Sequence, residues 1–138
     1  MIIDTSALLA YFDSSEPRHA QVGTIIDTTS ELLVVSPYVL AELDYLILTR
    51  HGSHAEAAAL RELSSGAWEL ADMPLQRLKL ATEVVRRFAD QPIGLADAAN
   101  LVLAEAFGTR TIVTLDHRHF DMLRFTDNTA PIVLPGHG

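Results

Sequence analysis

Four acidic residues interrupt runs that otherwise read as buried. Asp4 ends Met1-Ile2-Ile3 and opens Thr5-Ser6-Ala7-Leu8-Leu9, and Asp116 ends Thr111-Ile112-Val113-Thr114-Leu115 in the same way. Glu42 lies inside Val39-Leu40-Ala41-Glu42-Leu43, and Asp97 inside Gly94-Leu95-Ala96-Asp97-Ala98-Ala99. A carboxylate taken out of water is costly unless it is paired, protonated or bound to a metal. One shared divalent cation would meet all four costs together. The donors are all oxygens, which suits Mg²⁺ or Mn²⁺ rather than zinc. Such an ion can position a water, lower its pKa and stabilise the charge of a phosphodiester transition state.

The elements that must position these acids alternate between strand and helix. Residues 1–3 are a buried strand, and 6–12 a short helix with Asp4 or Thr5 near its N-cap. Pro17 opens a helix running to about Asp27. A strand over 32–35 leads to Ser36 as N-cap and Pro37 at the first helical position. That helix turns Val39, Leu40, Leu43, Leu46 and Ile47 inward, and Glu42 shares a face with Leu46. Gly52-Ser53 breaks the chain, with Ser53 the expected cap of a helix over 55–63, which Ser64-Ser65-Gly66 ends. A strand is expected over 68–70 and a helix over 74–89, with its stripe at Leu75, Leu78, Ala81 and Val85. Residues 95–107 are apolar nearly all round, the mark of a central helix, with Gly108 at its C-cap. Strands over 111–114 and 132–134 complete the pattern.

This alternation predicts an α/β fold with a parallel sheet and helices on both faces. In such sheets the working site lies beyond the C-terminal ends of the strands. Asp4 and Asp116 stand at two of those ends. Glu42 lies about a turn into the helix after the second strand. Asp97 opens the central helix, where the positive end of the helix dipole favours an anion.

The chain of 138 residues fits a single domain, 1–138, with a sizeable core. It has no cysteine, which excludes disulfides, thiolate zinc sites and iron–sulfur clusters. No stretch approaches the roughly 20 apolar residues that span a bilayer, so a cytoplasmic protein is expected. The formal net charge of −8 argues against broad nonspecific nucleic-acid binding. Lys79 is the only lysine, and the remaining cations are arginines, whose planar fork suits phosphate.

The four motifs, taken in order, resemble those of the PIN-domain ribonucleases, and the order and length resemble the VapC toxins of bacterial toxin–antitoxin pairs. Thr114-Leu115-Asp116-His117-Arg118-His119-Phe120 supplies the last of them. The resemblance covers nearly the whole chain. It implies an α/β/α sandwich with a central, mostly parallel sheet. It also implies a Mg²⁺-dependent endoribonuclease, with Mn²⁺ able to substitute. Asp4, Glu42, Asp97 and Asp116 would carry the metal site, Asp4 and Asp97 directly and the other two partly through water. Ser6 and Thr114 fall where the family places supporting polar groups. Arg18, Arg50, Arg118 and His119 are candidates for contact with RNA. The same resemblance implies a homodimer, here expected to draw on the helices around Leu46 and Leu60. It further implies a VapB-type antitoxin whose C-terminal segment occupies the groove, in a toxin–antitoxin hetero-oligomer.

Other readings compete. Asp4 and Asp97 could simply cap helices, Asp116 could sit in a turn, and Glu42 could pair with Arg50. His117 and His119 share a face on an extended segment, but without cysteine or a third histidine they do not read as a zinc pair. Trp68 reads as packing or interface. Asp44, close to Glu42, is the one further acid of interest. A haloacid-dehalogenase-type phosphatase would also put an acid after the first strand, but needs a second aspartate two residues on, where this chain has Ser6. A non-catalytic module of the same fold would have no need to keep all four acids.

Overall fold

Period-two alternation in three short strands sets the layering of the molecule. The computed structural model describes residues 1–136; His137 and Gly138, the end of the expected 1–138 domain, lie outside the described residues. The strands are β1 (Ile2–Ile3), β2 (Val34–Val35), β3 (Glu69–Leu70), β4 (Thr111–Val113) and β5 (Ile132–Leu134). They form one sheet in the order β3-β2-β1-β4-β5, every neighbouring pair parallel. Ile2, Val34 and Ile112 point into one apolar cluster, and Ile3, Val35 and Val113 into a second on the opposite face. Strands buried on both faces carry apolar residues at consecutive positions, as these do.

Helices cover each face. The Ile3 side receives α1 (Thr5–Phe12), α2 (His19–Thr28), α3 (Pro37–His51) and α4 (Ser53–Leu63). The Ile2 side receives α5 (Leu75–Arg87), α6 (Leu95–Ala106) and the short α7 (His117–Phe120). Ala98 through Ala104 are all buried, so α6 is the central helix that its all-round apolar sequence predicts. It ends in a Schellman arrangement. The Gly108 amide donates to the Glu105 carbonyl at 3.2 Å and the Thr109 amide to the Ala104 carbonyl at 2.9 Å, with Gly108 at φ +68°. Ser36 caps α3 as expected, its hydroxyl accepting the Tyr38 amide at 3.1 Å with Pro37 in the first turn.

Three local expectations are corrected. Ser53 is already helical and caps nothing; Gly52, at φ +88°, is the junction, donating its amide to Leu48 and so closing α3 as it opens α4. On α5 the inward residues are Ala81 and Val84, with Phe88 following just past its end, while Leu75 and Val85 face outward. Adjacent valines leave the phase of a helical stripe ambiguous by one residue, and packing against α6 selects Val84. Residues 117–120 are a single helical turn rather than an extended segment, so His117 and His119 do not share a face. Trp68 is packing: it is buried against Tyr11 and Phe12, with ring centroids 5.6 and 6.5 Å away.

The strand order has a functional consequence. From β1 the chain steps outward through β2 and β3 on one side, and β4 and β5 lie on the other. The loops leaving β1 and β4 therefore diverge, opening a crevice at their C-terminal ends, where open α/β sheets bind ligands. No helix among the described residues is long and apolar enough to cross a membrane. Ile112 is wholly buried in β4, whereas Ile132 on the sheet edge is 52% exposed. Ile112→Ala should therefore lower unfolding free energy by about 2–5 kcal/mol. Ile132→Ala should cost under about 1 kcal/mol. Urea denaturation of the two variants checks the difference.

Candidate active site

The register of β1 against β4 builds the centre of the site. Ile2 pairs with Ile112 and Ile3 with Val113, so the next pair in line is Asp4 and Thr114. The ladder continues there, with the Asp4 amide donating to the Val113 carbonyl at 2.9 Å. Strand parity then returns both side chains to the face of Ile2, toward α6. Asp4 is buried, 6% exposed. Its Oδ2 accepts the Thr114 hydroxyl at 2.7 Å, and its Oδ1 accepts the Asn100 amide nitrogen, from α6, at 3.0 Å. Asp4 occupies the N-cap position of α1 but makes no side-chain capping bond, so the simple capping reading does not hold.

The hydroxyls form a directed chain. Thr114 gives its one proton to Asp4, so the Ser6 hydroxyl, 3.2 Å away, is the donor to Thr114. Ser6 Oγ accepts the Leu115 amide at 2.9 Å, and Thr114 Oγ1 accepts the Asp116 amide at 3.0 Å. The turn that presents Asp116 is thus tied to the two side chains that steady Asp4.

Asp97 lies in the first turn of α6, with Gly94 at the cap position and no side-chain capping bond. Its Oδ2 accepts from His119 Nδ1 at 2.7 Å, and the same nitrogen lies 3.5 Å from Asp116 Oδ2. A carboxylate only accepts, so Nδ1 carries the proton. His119 therefore bridges two of the four acids. Glu42 is exposed on α3. Asp44 does not join them; it meets Glu56 of α4, and the contact between the two carboxyls raises the pKa of Glu56.

Together Asp4, Ser6, Glu42, Arg50, Asp97, Asp116 and His119 line an open cleft of about 650 Å³, floored by Leu9 and Ile93. Of the four candidate substrate contacts, Arg50 and His119 line this cleft and Arg18 and Arg118 do not. Arg18 sits at the start of α2, where its Nε donates to Gln21 at 2.6 Å.

The acids feel one another. Burial pushes the Asp4 carboxyl above its ordinary value; the Thr114 and Asn100 bonds oppose this and the Glu42 charge adds to it. The Thr5 backbone amide also pulls it down. Asp97 is pushed up to about 6, first by burial and then by the Asp4 charge, with His119 opposing and Asp116 adding. Clustered carboxylates that raise one another's pKa make a site for a cation. Among the described residues, no three histidine, aspartate or glutamate side chains stand as close as a closed metal cage requires. The open oxygen-donor set fits Mg²⁺, which keeps several waters and takes only one or two protein carboxylates.

Asn100 is the site residue that the sequence reading missed. It stands one turn after Asp97 on the same face of α6 and is wholly buried. A polar residue inside the otherwise apolar stretch from Ala98 to Ala104 was the available signal.

The PIN domain family matches residues 1–125 of this chain. Ribonuclease VapC26 of Mycobacterium tuberculosis (strain ATCC 25618 / H37Rv) is 60% identical over 124 residues, 90% of this chain and 92% of that protein. The crystal structure of VapC20 from Mycobacterium tuberculosis, described as a sarcin–ricin loop cleaving toxin, has a TM-score of 0.78 at 19% identity, over 86% of this chain and 91% of that one. VapBC2 from Rickettsia felis, bound to a DNA fragment from its promoter, gives 0.68 at 17%, over 96% and 95%. The two solved structures establish the common fold, and the family match with the 60% identity establishes kinship. The chain belongs to the PIN-domain family, among the VapC ribonuclease toxins.

Proposed function

We propose that this chain, a single domain over 1–138, is an endoribonuclease whose activity requires a divalent cation held by Asp4 and Asp97. Asp116 and Glu42 contribute partly through water. The observation that carries the reading is the buried Asp4 carboxylate, which keeps two donors on its inner side and faces three further acids across one cleft. Mg²⁺, or Mn²⁺ in its place, would supply Lewis acidity toward a phosphodiester and a water of lowered pKa.

The chain's own groups do the positioning. Thr114 and Asn100 hold the Asp4 oxygens, and Ser6 holds Thr114. His119 Nδ1 holds Asp97 Oδ2 and screens it from Asp116. Arg50, exposed at the rim, brings a guanidinium to the cleft, where a phosphate oxygen would meet it. Glu42 stands open to solvent on the same wall. A phosphatase of the haloacid-dehalogenase type fits less well, since Ser6 accepts a backbone amide where that chemistry needs an acid.

The acidic cleft also suits an inhibitor. The antitoxin partner, of the VapB type, would place an arginine-bearing C-terminal segment against the four carboxylates. Association into a homodimer would use α3 and α4, where Tyr45, Leu48 and Leu60 are exposed while Leu46 packs partly into the core.

Asp4→Asn and Asp97→Asn should each lower cleavage of a labelled RNA by at least ~100-fold, beyond the loss typical of an outer partner, with the circular-dichroism spectrum unchanged. A parallel assay with a phosphomonoester should stay blank. Retained RNA cleavage in Asp4→Asn would refute the reading. EDTA should silence the enzyme, and Mg²⁺ or Mn²⁺ should restore it.

The raised carboxyls give a pH test with a definite sign. With Asp97 titrating near 6 in the folded protein against 3.8 ordinarily, the native state binds more protons than the unfolded one between those values. Stability of the metal-free protein therefore falls as pH rises through that window. Asp13, Glu83 and Asp127 have lowered pKa values and act oppositely, but only below the ordinary carboxylate range. Thermal melting in EDTA should give a higher Tm at pH 5 than at pH 7. Asp97→Asn should shrink that difference.

A further inference from the structure

We propose that Asn100 is a positioning residue that fixes the Asp4 carboxylate in the orientation a divalent cation needs. The inference rests on the metal reading of the cleft and assigns a role within it.

A carboxylate has two oxygens and one free rotation about its terminal bond. Thr114 holds Oδ2 from the end of β4, and Asn100 holds Oδ1 from α6. Either bond alone would leave the group free to swing about that contact. Two bonds from two separate elements stop the rotation. They leave the outward lone pairs of Asp4 aimed at the cleft that Asp97 and Asp116 share.

No other contact of its side chain among the described residues accounts for an asparagine here. The neighbouring residues Ala98, Ala99 and Leu101 through Ala104 are all buried and apolar. Asparagine is a poor helix former compared with leucine or alanine. Its Oδ1 is buried and has no hydrogen-bond partner among the described residues. An apolar side chain would fill this space without stranding a polar atom. What asparagine alone adds is the 3.0 Å bond to Asp4.

The position on the helix matters as well. Asn100 follows Asp97 by three residues, so one rigid turn of α6 carries both a metal-facing acid and the clamp on the other. The Asp4–Asp97 separation is then set by the geometry of a buried helix rather than by a loop.

The test is Mn²⁺ affinity, read from free Mn²⁺ by electron paramagnetic resonance, on the full chain without RNA. Asn100→Leu keeps the branched shape, at a larger volume, and removes the donor; it should weaken Mn²⁺ binding by roughly 10–100-fold, the usual effect of losing a partner of a metal ligand. Asn100→Ser, with a hydroxyl and room for a relaying water, should recover part of the loss. If Asn100→Leu fails to fold, Asn100→Ala takes its place, with the same expected weakening. Unchanged Mn²⁺ affinity in the folded leucine or alanine variant would overturn the role, whatever happens to its melting temperature. Wild-type protein that binds no Mn²⁺ would overturn the metal reading itself and this inference with it, a result distinct from equal binding by wild type and variant.

Discussion

The constraint on which the structure depends is a carboxylate buried at the end of the central strand. Desolvating an ion inside a protein costs several kcal/mol even after relaxation. Two hydrogen bonds to a charged acceptor return roughly 1.5–3 kcal/mol each. The terms are of the same order, and the upward pKa of Asp4 says that burial still prevails over its two donors. A folded protein that holds this group ionised sits close to balance, and a cation at the cleft would shift that balance decisively. The surrounding architecture follows: a register that sets Thr114 beside Asp4, a parity that turns both toward α6, and a polar residue in the buried stretch Ala98 to Ala104 of that helix, where only apolar ones otherwise occur.

Much of this was legible in the residues because each acid broke a pattern. Asp4 and Asp116 ended apolar strands, Asp97 opened an apolar helix, and Ser36-Pro37 announced α3 with a cap and a proline. The parallel sheet followed from alternation alone. What stayed hidden was the phase and direction of side chains. Val84 and Val85 are equally apolar, and only contact with α6 distinguishes them. Residues 117–120 form a turn too short for periodicity to register. Arg18 and Arg50 are both arginines beside polar runs, yet one lies at the start of α2 and the other at the cleft. Asn100 went unnoticed because one amide side chain in a helix is ordinary by composition; its meaning lies in the Asp4 contact across 96 residues of sequence.

The cleft is built in two halves of different stiffness. On its inner wall Asp4 is buried and held from behind by Thr114, at a strand end, and Asn100, on the central helix. Its outer wall, Glu42 and Arg50, stands exposed on α3. Chemistry on a phosphodiester needs reacting groups placed to within a fraction of an ångström, which packed elements provide and long solvated side chains do not. A nucleic-acid chain, by contrast, must enter and leave. Hence the group with the greatest burial cost belongs on the most rigid part of the sheet, and under the proposed function the groups that would meet the substrate first belong on a solvated helix face. His119 joins the two regimes. It sits on the single turn of α7, half-buried, with its Nδ1–H donated to Asp97 and its ring near Asp116. It lowers the repulsion between those acids without filling the cleft with a fixed positive charge, as an arginine there would.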